Sequence, residues 1–276
     1  MVITLLGLLS ALTWGTADFS GGLASKRTNA YGVVIGGQAV GLIPLLAMIA
    51  LSGEAMPPLT SWLWGGAAGL GGGIGLSFLY RALASGRMSV AAPVSGLLAA
   101  LIPVLAGTIM EGFPKLWTFI GFVLALAAIW LISSSEDGKT IHLRELSLPL
   151  AAGLAFSMFF ICMHEASRES ILWPIVASRL TSITSMLVFA LTLRQPWLPK
   201  NPHWPLIALS GVLDIIGNAC YILAGQAGRM DVAAVLGSLY PGATVVLAWL
   251  VLRERISRVQ FFGFLAALGA IVMMTI

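Results

Sequence analysis

Asp214, Asn218 and Tyr221 follow one another at three- and four-residue steps, flanked by Gly211 and Gly225, inside an apolar stretch running from Pro205 to Ala227. On a helix that spacing places them along one face. A carboxylate, a carboxamide and a phenol in line can exchange a proton, hold a cation and hydrogen-bond a small polar ligand. A second line at helical spacing passes through Trp14, Asp18, Gly21 and Ser25. A third stretch carries Ser178, Arg179, Thr181, Ser182 and Ser185, and Gln38 stands alone among apolar neighbours. Arg179 is long enough either to snorkel to an interface or to pair with an internal acid, and Asp18 can likewise be a buried partner of Arg179 or Lys26.

The elements that must position these residues are membrane spans. Hydrophobic residues make up 58% of the 276 positions and charged residues 9%, against roughly 45–50% and 25% in a soluble domain. Ten apolar stretches can be read: Val2–Ala24, Gly32–Ser52, Trp62–Ala84, Met88–Met110, Leu116–Ser134, Leu148–His164, Leu172–Leu193, Pro205–Ala227, Met230–Leu252 and Val259–Ile276. Most reach the roughly 20 residues that a helix needs to cross about 30 Å of hydrocarbon. Asp214 then lies about 15 Å along its helix, near the midplane, where an unpaired carboxylate costs at least ~2.5 kcal/mol. Burial of this kind disfavours the charged form of both Asp18 and Asp214, so either acid can carry a coupling proton.

The second half of the chain rewrites the first. Ala82 to Ile132 matches Ala224 to Met274 without a gap at a constant offset of 142, with Gly86-Arg87-Met88 returning as Gly228-Arg229-Met230 and Val90-Ala91-Ala92 as Val232-Ala233-Ala234. Each copy holds an odd number of spans, so the copies enter the bilayer in opposite orientation. The expected fold is all-α and integral to the membrane, ten transmembrane helices as two inverted five-helix repeats. The first repeat is read over residues 1–136, a polar linker over 137–147 and the second repeat over 148–276. At the same offset Asp214, Asn218 and Tyr221 face Gly72, Leu76 and Leu79. A purely architectural feature would more often survive in both copies, which favours a functional role for Asp214.

Glycines and prolines indicate how the helices meet. Gly65, Gly69 and Gly73 at four-residue spacing, with Gly71 and Gly75 as a second pair, make span 3 a smooth packing or sliding surface. No Lys-Ser or Lys-Thr follows this run, so it is not a phosphate-binding loop. Pro93, Pro103 and Pro241 each remove a backbone donor, which predicts kinks in spans 4 and 9 and places both helices beside a central space. Cys162 and Cys220 lack metal-ligand spacing, and no set of histidines suggests a metal site or a catalytic centre. The first span runs into Asp18 without a preceding basic region and reads as helix 1, not as a cleaved signal peptide. Most tryptophans, such as Trp62, Trp173 and Trp204, fall near span ends, where interfacial anchoring is the default. Basic residues such as Lys26, Arg27, Arg194, Arg253 and Arg258 gather on the side opposite the N-terminus, and the positive-inside rule puts both termini outside.

Three passages resemble the EamA-like members of the drug/metabolite transporter superfamily. They are Ala11-Leu12-Thr13-Trp14-Gly15-Thr16-Ala17-Asp18-Phe19-Ser20-Gly21 running on to Lys26-Arg27, the stretch from Tyr221 to Gly228 continuing through Val232-Ala233-Ala234 to Tyr240-Pro241, and Leu252-Arg253-Glu254-Arg255 followed by Gln260-Phe261-Phe262-Gly263. The resemblance covers essentially the whole chain. It implies a central cavity formed by the first four helices of each half, peripheral helices 5 and 10, and transport of small metabolites, amino acids or drugs. It also implies cytoplasmic termini, against the charge count. Two departures stand out in the first copy: alanine occupies position 99, opposite Pro241, and Glu111 is followed by Gly112 and Phe113 instead of arginine. The two halves are therefore expected to bend differently.

The expected function is a secondary transporter, working as an exporter of a small metabolite such as an amino acid or amine by alternating access, with proton coupling through Asp18 or Asp214. Trp14, Gln38, Arg179, Ser182, Asn218 and Tyr221 complete the expected pathway for substrate or proton. A facilitative uniporter, a membrane-embedded enzyme and a non-transporting scaffold remain as alternatives, the last two weaker. No cofactor or metal is expected. The partners are a small-molecule substrate and membrane lipid, with no nucleic acid; the chain is a monomer or homodimer, multi-pass in the plasma (inner) membrane.

Overall fold

The computed structural model describes residues 1–85, 88–133, 143–198, 203–253 and 257–275. Gly86-Arg87, Glu254-Arg255, Lys200 and residues 137–142 of the expected linker lie outside them. Among the described residues every regular element is a helix: α1 (Val2–Ser25), α2 (Ala30–Ser52), α3 (Leu59–Ser85), α4 (Met88–Glu111), α5 (Leu116–Ser133), α6 (Leu143–Ala166), α7 (Leu172–Thr192), α8 (Trp204–Gln226), α9 (Met230–Gly237), α10 (Tyr240–Leu252) and α11 (Arg258–Thr275). Since α9 and α10 share one apolar span, the ten expected spans are all present. Among the described residues, seven are long and apolar enough to cross a membrane by length and composition. The 27-residue α3 has length to spare, but its seven glycines dilute its hydropathy. The helix α6 reaches back to Leu143, so part of the segment read as linker is helical.

Local chemistry sets several boundaries. The Asn29 side chain accepts a hydrogen bond from the Tyr31 amide and caps α2. Gly53, at φ +64°, closes the same helix in the left-handed conformation that glycine adopts without strain. Pro205 and Pro241 sit in the first turns of α8 and α10, where a missing amide proton breaks no intrahelical bond.

Helix packing carries the duplication into three dimensions. The helix α1 lies on α8 as α3 lies on α6; α2 meets α8 as α3 meets α7; and α5 pairs with α11 at the periphery. Exchanging the two halves leaves this pattern unchanged, as a pair of inverted five-helix repeats requires.

The glycine faces are the closest crossings. Gly65, Gly69 and Gly73 press on α7, where a Cβ at Gly65 would come within 2.9 Å of the Pro174 carbonyl and one at Gly69 would overlap the Ser178 backbone. Gly71 and Gly75, on the other side of α3, face Ala155, Phe156 and Phe159 of α6. The repeat-related crossing joins α2 and α8, where a Cβ at Gly41 would lie 2.6 Å from the Gly211 carbonyl and one at Gly211 would overlap the Gly37 backbone. Lipid supplies no hydrophobic force between helices, so such contact must come from backbones that side chains do not hold apart.

The prolines divide as the asymmetry of the two copies suggests. The helix α4 continues through Pro93 and Pro103, whereas the ninth span breaks at Ser238-Leu239 before Pro241. At the break the Thr244 hydroxyl donates to the Gly15 carbonyl at 3.0 Å, tying α10 to α1. Two further prolines, Pro44 in α2 and Pro149 in α6, also lie inside helices.

The seams make a direct prediction. Gly69→Ala lowers the melting temperature of the detergent-purified protein, by an amount equivalent to about 1–3 kcal/mol of overpacking. Gly242→Ala, whose Cβ would meet only Phe264 at 3.5 Å, leaves it within about 0.5 kcal/mol. A thermal unfolding series on the two variants checks both.

Candidate functional site

Seven of the eight residues picked out for the substrate or proton pathway converge on one central cavity. Its lining includes Trp14 and Asp18 from α1, Gln38 from α2, Ser178, Arg179 and Ser182 from α7, and Asp214 and Asn218 from α8. The volume is about 40 Å³, room for about three waters.

The charged centre joins three helices. Arg179 is 3% exposed and pairs with Asp214 through Nη1 to Oδ2 at 2.5 Å. The same Nη1 donates to Gln38 Oε1. Arg179 is therefore the internal partner of an acid and not an interfacial anchor. Its remaining donors, Nε and Nη2, are buried without a hydrogen-bond partner, and so is the hydroxyl of Ser182 one turn on. Removing a guanidinium from water is compensated only when its charge and its donors are met, and here the charge is met but three N–H bonds are not.

Asp18 is 5% exposed and lines the same cavity. It makes no hydrogen bond or ion pair with any described residue, since Arg179 is committed to Asp214. Two carboxyl groups thus share the space with one guanidinium.

Around the polar groups stands an aromatic wall. Trp14 donates from Nε1 to Asn218 Oδ1 at 3.2 Å and packs on Phe160 and Phe159 at ring separations of 5.5 and 6.1 Å. Tyr221 stands back from the cavity: its hydroxyl donates to the Phe160 carbonyl at 2.9 Å and its ring backs Trp14 at 5.7 Å. Tyr240, which the sequence reading passed over, lines the cavity from α10 with its hydroxyl 2.5 Å from Ser95 Oγ. The kinked span 9 does border the central space through Tyr240. The helix α4 does not reach it, contrary to the expectation drawn from Pro93 and Pro103, because Ser95 meets Tyr240 from behind.

The other missed residues carry a signal that the duplication holds. At the offset of 142, Trp14 and Asp18 correspond to Phe156 and Phe160, and Asp214 and Asn218 to Gly72 and Leu76. All eight line the cavity. One copy supplies the polar member of each pair and the other an apolar counterpart.

A close glycine crossing lies on each side of the cavity. On the side of the N-terminus the α3–α7 glycine crossing is reinforced by Glu54, whose carboxylate accepts from the Ile171 and Leu172 amides at the start of α7, at 2.5 and 3.1 Å. Glu111 accepts from the Met230 amide at 3.1 Å and lies 3.8 Å from the Arg229 guanidinium, which pairs with Asp231 at 2.7 Å. On the opposite side the α2–α8 crossing is accompanied by a neutral contact between Asn29 and Gln195 amides at 3.3 Å.

The ion pair can be tested by its charge balance. Arg179→Gln leaves the half-buried Asp214 uncompensated, and should destabilise the protein by about 1–3 kcal/mol, less than the loss of a partner from a fully buried pair. Adding Asp214→Asn should restore most of that loss. A double-mutant cycle on thermal or chemical unfolding measures the coupling, which is expected to exceed about 1 kcal/mol.

Comparison with known proteins agrees with this architecture. No curated protein matches the chain. A solved structure, described only as a crystal structure of a protein, superposes with a TM-score of 0.72 at 19% identity, over 99% of this chain and 98% of that one; at that identity it speaks for the fold alone. The model of the EamA-like transporter family matches residues 1–134 and again 143–276, one match for each half. The chain is a member of the EamA-like transporter family, within the drug/metabolite transporter superfamily, and so a multi-pass membrane transporter.

Proposed function

We propose that this transporter is a proton-coupled carrier of a small metabolite, such as an amino acid or an amine, with Asp18 as the group that titrates. The observation that carries the reading is the lone carboxyl of Asp18, buried beside an acid that Arg179 already neutralises. A carboxylate without a counter-charge in so dry a place is unfavourable. It becomes favourable when it holds either a proton or the cationic group of a substrate. Those two occupants exclude each other, and mutual exclusion at one group is the minimum device for antiport. With a proton gradient directed into the cell across the plasma membrane, exchange at Asp18 drives substrate outward, so the carrier is an exporter.

The two close-packed crossings support alternating access. They are related by the exchange of repeats and lie on opposite sides of the cavity, so either can part while the other holds. A volume of about 40 Å³ is far below the 300–1,000 Å³ of ligand pockets. The site therefore has to widen before a metabolite can enter. Asp214, Arg179 and Gln38 serve as a fixed polar centre, and Trp14, Ser182 and Asn218 as substrate contacts. Tyr221 supports Trp14 from behind.

The test is proton movement in proteoliposomes carrying a pH-sensitive dye, challenged with a panel of amino acids, amines and purines. Wild type, Asp18→Asn and Asp214→Asn are compared. Substrate-evoked proton flux should disappear, by at least about tenfold, in Asp18→Asn. Labelled-substrate uptake without proton movement, unchanged by Asp18→Asn, would replace the proposal with facilitative uniport.

A further inference from the structure

Arg179 is used on only one edge. A guanidinium offers five N–H donors, and its Nε–Nη2 edge presents two parallel ones that match the two oxygens of a carboxylate. Asp214 and Gln38 both take Nη1. The Nε–Nη2 edge is buried and unmet, and the hydroxyl of Ser182, one turn along the same helix and lining the same cavity, is also unmet. Unsatisfied donors at such depth are rare and need an explanation. Three of them, on two residues of one helix that both line a cavity, mark the place of an absent acceptor.

We propose that the site takes a zwitterion, a neutral α-amino acid with a large apolar side chain, whose ammonium goes to Asp18 and whose carboxylate goes to the Nε–Nη2 edge of Arg179 and to Ser182. This deepens the transport reading and rests on it. A simple amine would satisfy Asp18 and leave the guanidinium edge bare. A simple carboxylic acid would satisfy Arg179 and leave Asp18 uncompensated. A sugar carries neither charge. The zwitterion meets both sets, and Trp14, Phe156, Phe159 and Phe160 supply the surface against which its side chain packs. An aromatic side chain stacks best there. Binding of the ammonium releases the proton of Asp18 to the water on the side from which the amino acid enters, and when the amino acid leaves on the other side Asp18 takes up a proton from the water there, so neither step requires a further reactant. The cavity has to widen to admit the molecule, through either of the two glycine crossings.

Calorimetric titration of the detergent-purified full chain tests this with three probes of one skeleton: L-phenylalanine, 2-phenylethylamine and 3-phenylpropionate. Phenylalanine is expected to bind about ten- to a hundredfold more tightly than either truncated probe, the loss that follows from leaving a buried charged group unpaired. The double variant Arg179→Gln/Asp214→Asn keeps the site's net charge. It should bind phenylalanine and phenylethylamine about equally while its melting temperature confirms a folded protein. Phenylethylamine or phenylpropionate binding as tightly as phenylalanine to wild type would overturn the proposal, as would binding of none of the three. A preference for phenylalanine that survives in the folded double variant would overturn the part assigned to Arg179. Flux of radiolabelled probe into proteoliposomes separates this inference from the transport reading. Transport of the amine with no transport of the amino acid leaves a carrier and removes the zwitterion site. Phenylalanine binding without flux does the reverse.

Discussion

The bundle is organised around one internal ion pair and the acid it leaves over. Arg179 of α7 binds Asp214 of α8 and Gln38 of α2 at the same nitrogen, so three helices from both halves meet at one charged point. In a medium with so little water, the cost of burying charge is offset only by a partner at close range and by full use of the donors. The partner is there for the charge. It is absent for the Nε–Nη2 edge and for Asp18, and every functional property argued above follows from those two deficits. Had Arg179 met both acids, the centre would be a closed structural knot with nothing left to bind.

The fold itself is built from a symmetry that the site abandons. Inverted repeats give equivalent crossings on the two sides of the cavity, which suits a structure that must be openable from each. The lining obeys the symmetry in position and breaks it in chemistry: Trp14 and Asp18 stand opposite Phe156 and Phe160, and Asp214 and Asn218 opposite Gly72 and Leu76. A fully symmetric polar cavity would bury twice as many charged groups. Placing them in one member of each pair leaves the other free to provide apolar surface and, at Gly72, space.

The two sides also differ in the contacts that join their helix ends. Glu54 caps the start of α7 and Glu111 meets the start of α9, each a carboxylate from the first half receiving amide protons from a helix N-terminus of the second. Negative charge is favourable at that end of a helix. The opposite side has a neutral amide contact at the corresponding junction of α2 and α7. Glycine seams lie beneath both, where close packing takes the place of the hydrophobic force that lipid cannot supply.

Much of this was legible before any coordinates. Composition and the lengths of the apolar stretches determined a helical membrane protein, because only helices and closed barrels satisfy their backbones in lipid. The offset of 142 determined two copies, and the odd number of spans in each determined their inversion. Helical spacing picked out Asp18, Arg179, Asp214 and Asn218, since polar side chains at that depth must face protein or cavity. What sequence could not decide was partnership. Arg179 can reach an acid on α1 or on α8, and only the packing of α7 against α2 and α8 selects Asp214 and leaves Asp18 alone. Tyr221 shares the helical line of Asn218 and was grouped with it, yet its ring turns to the α6 aromatics because α6 fills that angle. The wall formed by Phe156, Phe159 and Phe160 looks in sequence like any apolar core. Tertiary structure decided these matters because periodicity fixes the face of a helix on which a residue lies, whereas the neighbour that face meets depends on every other helix in the bundle.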